Sequence, residues 1–234
     1  INYTKHLWQY CARHKIPFLY ASSAATYGGG EQGFDDERSD DLLPTNPYGF
    51  SKEKFDAWAL AQDPAKSPPF WAGLKFFNVY GPNEYHKNGQ FSPVAHFFPQ
   101  VKDRGYVQLF RSHKDGVADG EQKRDFVYIK DCVKAIDHLY QNRAKAPSGL
   151  YNIGSGTART FRDLAEAIFA AMEIKPDIRF IDTPERLREH YQYFTEAKLT
   201  KLREKASYSE PWTSVEDGVR DYVRNYLMTE DPYL

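Results

Sequence analysis

Tyr48 and Lys52 lie four residues apart, and Ser23 lies upstream of both. A spacing of four places the phenol and the ammonium on one face of a helix, one turn apart. A phenol with its ordinary pKa of about 10 is a weak base at neutral pH, but a cation within roughly 4–6 Å lowers that pKa by about 1–3 units. The spacing therefore predicts a general base that can take a proton from an alcohol. An amphipathic helix that carries Tyr and Lys by chance fits the same spacing.

The segments around this pair make a more specific pattern. Residues 16–21 predict a short buried strand that leads into Ser22-Ser23, and residues 71–79 predict a second strand that ends near Asn78. In open α/β sheets, functional side chains gather where the strands end. A strand with Ser23, a helix with the Tyr-Lys pair and a strand with Asn78, in that order, are together far more specific than any one of them.

Composition limits the classes of partner. The chain has 234 residues, of which 41% are hydrophobic and 16% aromatic, enough for a sizeable core in one large domain or two small ones. The net charge of −1 argues against a nucleic-acid partner. Because no apolar stretch approaches about 18 residues, we expect no membrane partner.

The cysteines of the chain indicate its cellular compartment, and the spacing of its histidines indicates whether it binds a metal. Cys11 and Cys132 both lie in helix-like segments, where core packing is their expected role, and no signal peptide is visible. Such sparse cysteine suits a reduced, cytoplasmic protein. The seven histidines are scattered without the spacing of metal ligands, so we predict no metal site.

Helix-like and strand-like segments alternate along the chain, which predicts an α/β protein with a largely parallel sheet. A helix start is signalled by Thr160 with Asp163, which resembles a capping box. The predicted helices are 1–15, 48–62, 94–104, 131–142, a helix after Thr160, and 214–227. The predicted strands are 16–21, 71–79, 107–110, 123–129, 149–154 and 178–181.

Glycine-rich segments were compared with the dinucleotide-binding pattern GxGxxG, which needs an acidic residue about 20 positions on. Residues 154–158 follow a predicted strand, but Arg159 occupies the third glycine position, and a tight turn before a helix explains them better. Gly28-Gly29-Gly30 leads into an extended loop. We therefore find no dinucleotide fingerprint within residues 1–234.

Taken together, these motifs resemble the extended short-chain dehydrogenase/reductase family of nucleotide-sugar enzymes, and within it the epimerases that act on ADP-linked heptoses. The resemblance covers nearly all of the chain, and its specific parts are SSAATYGG at 22–29 and FNVYGPNEYHK at 77–87. The Tyr-Lys spacing alone would indicate only the superfamily. The stretches that carry the resemblance are 18–29, 48–52, 77–87, 123–128 and 191–195.

The resemblance implies the remainder of a Rossmann-type NADP-binding domain in residues 1–81 and 126–154, with a smaller α/β substrate-binding lobe in 82–125 and 155–234. The family's fold begins with a glycine-rich unit, so we expect about 90 further residues, or three βα units, before Ile1. Without them, this chain should not turn over substrate by itself. The resemblance also implies a homo-oligomer.

The implied activity is NADP-dependent inversion of C6 of ADP-D-glycero-D-manno-heptose through a transient ketone, for lipopolysaccharide core synthesis. The implied catalytic residues are Tyr48, Lys87 and Ser23. The implied cofactor contacts are Tyr48, Lys52, Val79 and Lys87. The implied contacts of the nucleotide sugar are Asn78, His96, Phe110, Arg111, Ser112, His113, Arg124 and Tyr191.

Two segments depart from the family pattern and leave the substrate open: residues 88–93 differ in sequence, and residues 114–122 form a long connection. One alternative is another extended-family enzyme, such as a UDP-hexose 4-epimerase or a dehydratase. A dehydratase usually has an acidic pair where this chain has Ala24-Ala25. Another alternative is a fragment that only binds a sugar nucleotide.

Overall fold

The computed structural model describes residues 1–38, 42–87, 89–188 and 191–233. It confirms the α/β class and the parallel pairing of strands. The helices are α1 (Asn2–His14), α2 (Pro47–Leu60), α3 (Pro93–Arg104), α4 (Ile129–Gln141), α5 (Phe161–Met172), α6 (Glu185–Arg188) and α7 (Val215–Tyr222). The strands are β1 (Phe18–Ser23), β2 (Trp71–Phe76), β3 (Asn78–Tyr80), β4 (Val107–Phe110), β5 (Lys123–Tyr128), β6 (Gly149–Ile153), β7 (Ala158–Thr160) and β8 (Ile178–Ile181).

The chain forms two compact units. The first unit comprises residues 1–77, 133–156 and 197–210. Its sheet has β2 between β1 and β6, with both pairs parallel. Since β2 is the central strand, its side chains are buried along almost the whole strand, as a parallel sheet covered on both faces requires.

The second unit comprises residues 78–132, 157–196 and 211–234. In one small sheet β5 lies between β3, which is parallel to it, and β7, which is antiparallel. In the other, β4 and β8 run parallel. Helices α3, α5 and α7 pack on a shared apolar core that includes Phe98, Ile168 and Val219.

Aromatic side chains dominate the core of the first unit. Trp8 of α1 is 1% exposed, and its ring contacts Phe18, Phe55 and Trp71 at centroid distances of 5.9, 6.3 and 5.1 Å. Such rings bury large apolar areas and prefer these tilted and edge-on arrangements. Trp8 therefore joins α1 and α2 to β1 and β2.

Several predicted elements differ from the structure. The predicted strand 71–79 is two strands, because β2 pairs with β1 and β6 whereas β3 pairs with β5. An apolar run shows that a strand is buried but does not show its partner. Strand β7 was not predicted, and the last predicted helix becomes a π-helical turn after Tyr222.

The two units also differ from the predicted domain ranges. Residues 78–81 and 126–132 belong to the second unit, and residues 155–156 and 197–210 belong to the first. Packing against strands that are distant in sequence decides this membership, and no local pattern encodes it. The division into a cofactor-binding part and a substrate-binding lobe stays a prediction.

The capping box before α5 is confirmed. Thr160 Oγ1 accepts a hydrogen bond from the Asp163 backbone N–H at 2.9 Å, and Asp163 Oδ2 accepts one from the Thr160 backbone N–H at 3.0 Å. Aspartate thus replaces the usual glutamate of this motif.

Among the described residues, no helix combines the length and apolar character needed to cross a bilayer.

A buried ion pair lies at the centre of the first unit. Lys75 Nζ of β2 lies 2.9 Å from Asp56 Oδ2 of α2, and the two side chains are 1% and 3% exposed. Lys75 also donates to Thr26 Oγ1 at 2.6 Å, while Asp56 accepts from Ser22 at 2.6 Å and from Tyr20 at 2.9 Å. The hydrogen bonds offset part of the cost of removing both charges from water.

Replacing Lys75 by Met should lower the free energy of unfolding by about 3–5 kcal/mol, because Asp56 is left charged and buried without its cation. Urea unfolding measures this loss. Lys198→Met is the matched control, since Lys198 forms a pair with Asp35 at 2.6 Å but is 52% exposed. That control should lose about 0–1 kcal/mol. Equal losses in both variants would contradict the interpretation.

Candidate active site and ligand cavity

Ser23 is the last residue of β1 and begins the turn that follows it. Its Oγ accepts a hydrogen bond from the Ala25 backbone N–H at 3.1 Å, and its carbonyl accepts one from Thr26 Oγ1 at 2.9 Å. The first bond holds the Ser23 side chain and the second holds its backbone at the carboxyl end of the strand, where the residue is half-buried. A hydroxyl that accepts one bond can still donate its own proton to a ligand.

Helix α2 starts beside that turn. The Asn46 side chain caps the helix by accepting from the Gly49 backbone N–H at 2.8 Å, and Pro47 occupies the first helical position. A Cβ on Gly49 would lie 2.6 Å from the Ala25 carbonyl oxygen, so only glycine allows this approach. Tyr48, next to this contact, keeps 56% of its surface exposed.

Lys52 follows Tyr48 by one helical turn, and the predicted placement of both on one helix face is confirmed. Lys52 Nζ lies 5.6 Å from the centroid of the Tyr48 ring and donates to the Ala21 carbonyl of β1 at 2.9 Å. An ammonium has three donors, and the bond to Ala21 uses one of them. The structure thus attaches the cation to the strand that carries Ser23.

The second unit contains a cavity of about 710 Å³, a size typical of small-molecule sites. Five residues that the sequence analysis predicted as ligand contacts line it: Asn78, His96, Phe110, Arg124 and Tyr191. They come from β3, α3, β4, β5 and the segment after α6. The fold therefore brings residues from distant parts of the chain to one cavity.

Arg124 is the central cation of this cavity. It is only 7% exposed, and its guanidinium lies 5.7 Å from the Phe161 ring centroid and 5.4 Å from that of Tyr191. Its Nη1 donates to the Lys123 carbonyl at 2.8 Å, and no ion pair to Arg124 is present within the described ranges. Burial lowers the pKa of this guanidinium, while Tyr191 raises it. A buried arginine between two aromatic rings is suited to bind an anionic group.

Three predicted contacts do not line the cavity: Arg111, Ser112 and His113. Asp119 accepts from Arg111 Nη1 at 3.0 Å and from the Ser112 backbone N–H at 2.8 Å. The His113 backbone N–H donates to Tyr193 Oη at 2.9 Å. The two bonds to Asp119 hold the segment after β4 to its own connection, and the third holds it to Tyr193. A role for the three residues in binding stays a prediction.

Part of the cavity wall consists of residues that the sequence did not predict. Gln100 links α3 to β4, since its Oε1 accepts from the Gln108 backbone N–H at 3.1 Å. Gln122, which is 1% exposed, donates to the Phe110 carbonyl at 3.2 Å. Glutamines scattered over three segments give no periodic signal, and only the fold brings them together. The other unpredicted lining residues are Pro93, Phe97, Arg104, Leu109, Phe161 and Ile181.

Val79 and Lys87, two predicted cofactor contacts, lie elsewhere in the second unit. Val79 is the middle residue of β3, pairs with Val127 and is half-buried. Lys87 is exposed and ends the 3₁₀ turn Tyr85–Lys87. Neither belongs to the described lining of the cavity. Their roles stay predictions.

Residues 1–154 match the family described as the NAD dependent epimerase/dehydratase family. The chain belongs to this family. It is 50% identical to the ADP-L-glycero-D-manno-heptose-6-epimerase of Fusobacterium nucleatum, covering 100% of this chain and 72% of that protein. The protein of the same name from Nitratidesulfovibrio vulgaris is 46% identical over 100% of this chain and 71% of its own length.

The crystal structure of Helicobacter pylori ADP-L-glycero-D-manno-heptose-6-epimerase resembles this chain with a TM-score of 0.75 and 28% identity. The match covers 92% of this chain and 61% of that one, so this chain spans less than two thirds of that structure. The resemblance to nucleotide-sugar epimerases that the motifs predicted is therefore confirmed, as is the Rossmann-like fold.

The family is named for its dependence on a nicotinamide cofactor. Residues of the first unit fit the ribose part of such a cofactor. The Lys52 ammonium, held at the end of a parallel strand beside the Tyr48 ring, can donate to ribose hydroxyls. Residues 154–159 lack the glycine fingerprint that binds a pyrophosphate.

Within the described residues there is no cluster of three His, Cys, Asp or Glu side chains that could hold a metal ion.

Proposed function

We propose that the protein containing this chain is an NADP-dependent epimerase that inverts C6 of ADP-D-glycero-D-manno-heptose. The observation that carries the proposal is the 50% identity, over all of this chain, to a protein named for this reaction. Ser23 lies at the end of β1, and Tyr48 and Lys52 lie on α2. In this proposal the three residues supply the acid–base groups that such a reaction needs. We further propose that the product enters lipopolysaccharide core synthesis in the cytoplasm and that the enzyme is a homo-oligomer.

The chemistry follows from the substrate. The hydrogen on the carbon to be inverted is not acidic, so direct proton abstraction is difficult. Tyr48, Lys52, Val79 and Lys87 would hold NADP, and this cofactor would supply reversible hydride transfer at either face of the carbon. The chain must therefore remove the hydroxyl proton as the ketone forms and return a proton as the alcohol is restored.

Two bases serve the two orientations of the ketone. Tyr48 Oη takes or gives the proton in one orientation, and Lys87 Nζ does so in the other. Ser23 Oγ donates to the reacting oxygen, and the Lys52 ammonium lies 5.6 Å from the centroid of the Tyr48 ring. Lys52, Val79 and Lys87 are the proposed contacts of NADP together with Tyr48.

The cavity of the second unit is the proposed site of the ADP-heptose. Arg124 can hold a pyrophosphate through two parallel hydrogen bonds, and the neighbouring rings of Phe161 and Tyr191 suit a planar base. Asn78 and His96 offer polar contacts to the sugar. Phe110 lines the same cavity, and Arg111, Ser112 and His113 follow it as proposed outer contacts of the nucleotide.

The full-length protein should convert ADP-D-glycero-D-manno-heptose to its C6 epimer. NMR of the sugar protons distinguishes the two epimers directly. Parallel incubations with a UDP-hexose and a GDP-sugar test the alternative substrates. No turnover of the ADP-heptose, together with epimerisation or dehydration of another nucleotide sugar, would contradict the substrate assignment.

Tyr48→Phe in the full-length protein should lower kcat at least about tenfold, because the variant lacks one of the two proton-transfer groups. Steady-state kinetics measures the change, and circular dichroism verifies the fold. Tyr10→Phe is the matched control: Tyr10 is 55% exposed, compared with 56% for Tyr48, and lies on α1. The control should keep wild-type kcat. Unchanged turnover in Tyr48→Phe would remove the phenol from the mechanism.

Arg124→Lys should raise the Kd for ADP about tenfold or more, because a lysine cannot make the bidentate contact of a guanidinium. Isothermal titration calorimetry of the full-length protein measures this affinity. Arg162→Lys is the control, since Arg162 also lies over an aromatic ring, that of Phe180 at 5.4 Å, but lies outside the cavity lining. A similar Kd in all three proteins would show that ADP binds elsewhere.

A further inference from the structure

Glu84 is a buried carboxylate that the proposed chemistry does not use. It is 4% exposed and lies in the second unit, after β3. Its Oε2 accepts from the Ser92 backbone N–H at 2.6 Å, and its Oε1 accepts from Ser92 Oγ at 2.7 Å and from Tyr222 Oη at 3.0 Å. One side chain thus joins the segment after β3 to the start of α3 and to the end of α7.

The segment that Glu84 holds continues directly to Lys87. The Lys87 backbone N–H donates to the Glu84 carbonyl at 3.2 Å, which closes the turn formed by residues 84–87. The Glu84 side chain is buried, whereas that of Lys87 is exposed. The amine is therefore carried on a single turn whose first residue is fixed in the core.

The backbone before this turn is also constrained. Gly81 has φ +144°, and a Cβ there would lie 2.2 Å from Ile129 Cγ2. Asn83 has φ 69°, in the left-handed region that few residues other than glycine adopt. Such strained conformations persist only where surrounding contacts hold them. The three hydrogen bonds to Glu84 are contacts of that kind.

The hydrogen bond from Tyr222 persists because the phenol stays protonated. Burial, followed by the neighbouring Tyr85 and Glu84, raises the pKa of Tyr222 well above its ordinary value. Tyr222 also packs among the apolar side chains that α3, α5 and α7 share. The donor to Glu84 is thus itself fixed in the core.

We propose that Glu84 is a positioning residue that sets the location of the Lys87 amine for proton transfer. The inference rests on the proposed function, in which Lys87 is the second acid–base group. Glu84 contacts neither substrate nor cofactor in this account and acts only through the turn 84–87. A displacement of about 1 Å in a reacting group can reduce a rate about 100-fold, so an anchor of this kind affects turnover.

Two conservative variants of the full-length protein test the anchor. Tyr222→Phe and Ser92→Ala each remove one hydroxyl that donates to Glu84. The matched control is Ser214→Ala: like Ser92, Ser214 caps a helix of the second unit, accepting from the Asp217 backbone N–H at 3.1 Å, but it does not bond to Glu84. All three should keep the wild-type circular dichroism spectrum.

We expect kcat to fall about tenfold or more in Tyr222→Phe and Ser92→Ala, with KM within about twofold of wild type. Reduced nicotinamide should accumulate during turnover, detected by its near-ultraviolet absorbance, because return of the proton to the ketone becomes slow in one orientation. Hydrogen exchange at the Lys87 amide should become faster. Ser214→Ala should show none of these changes.

Wild-type kcat and wild-type Lys87 amide exchange in both Glu84-contacting variants would overturn the positioning role. An equal fall of kcat in Ser214→Ala would also overturn it, because a general loss of helix capping would then explain the effect. Failure of the wild-type protein to invert the ADP-heptose would instead reject the proposed function. In that case the exchange rates by themselves decide whether Glu84 holds the turn.

Discussion

The buried pair of Asp56 and Lys75 is the interaction on which the first unit depends. Taking two charges out of water costs several kcal/mol for each ion, and the pair persists only with good geometry and further hydrogen bonds. Tyr20 and Ser22 of β1 donate to Asp56, and Lys75 donates to Thr26 in the turn that follows β1. The network therefore fixes α2, β1 and β2 to one another, and α2 and β1 carry two of the three proposed catalytic residues, Tyr48 and Ser23.

Position along α2 explains why this network matters for chemistry. Tyr48, Lys52 and Asp56 are spaced by four residues and follow one face of the helix. Asp56 is buried and bonded to β1, Lys52 reaches the Ala21 carbonyl of the same strand, and Tyr48 remains open to solvent. The helix thus runs from the exposed Tyr48 in its first turn to the buried Asp56, which is bonded to β1. Burial and then the charge of Asp56 raise the pKa of Tyr20 well above its ordinary value, which keeps that donor protonated.

In the second unit, the proposed binding residue Arg124 and the proposed positioning residue Glu84 are both buried. Its cavity has Arg124 as a buried cation between two aromatic rings, an arrangement that suits a ligand carrying both negative charge and a planar group. Glu84, in the same unit, accepts hydrogen bonds from Ser92 and Tyr222 and organises a turn rather than a ligand. Arg124 and Glu84 are thus buried side chains of opposite charge in one unit, and their different partners indicate different proposed roles.

The α/β class, the Tyr48–Lys52 helix face, the capping box at Thr160 and the family resemblance could be predicted from the chain, because each is encoded by local spacing or a contiguous motif. The folded structure was needed for every feature that depends on distant partners. It paired β2 and β3 with different sheets, moved residues 197–210 to the first unit and placed Gln122 in the cavity wall. It also gave Glu84 its three donors. Such features rest on side chains that meet only after folding, and no periodicity in the chain records them.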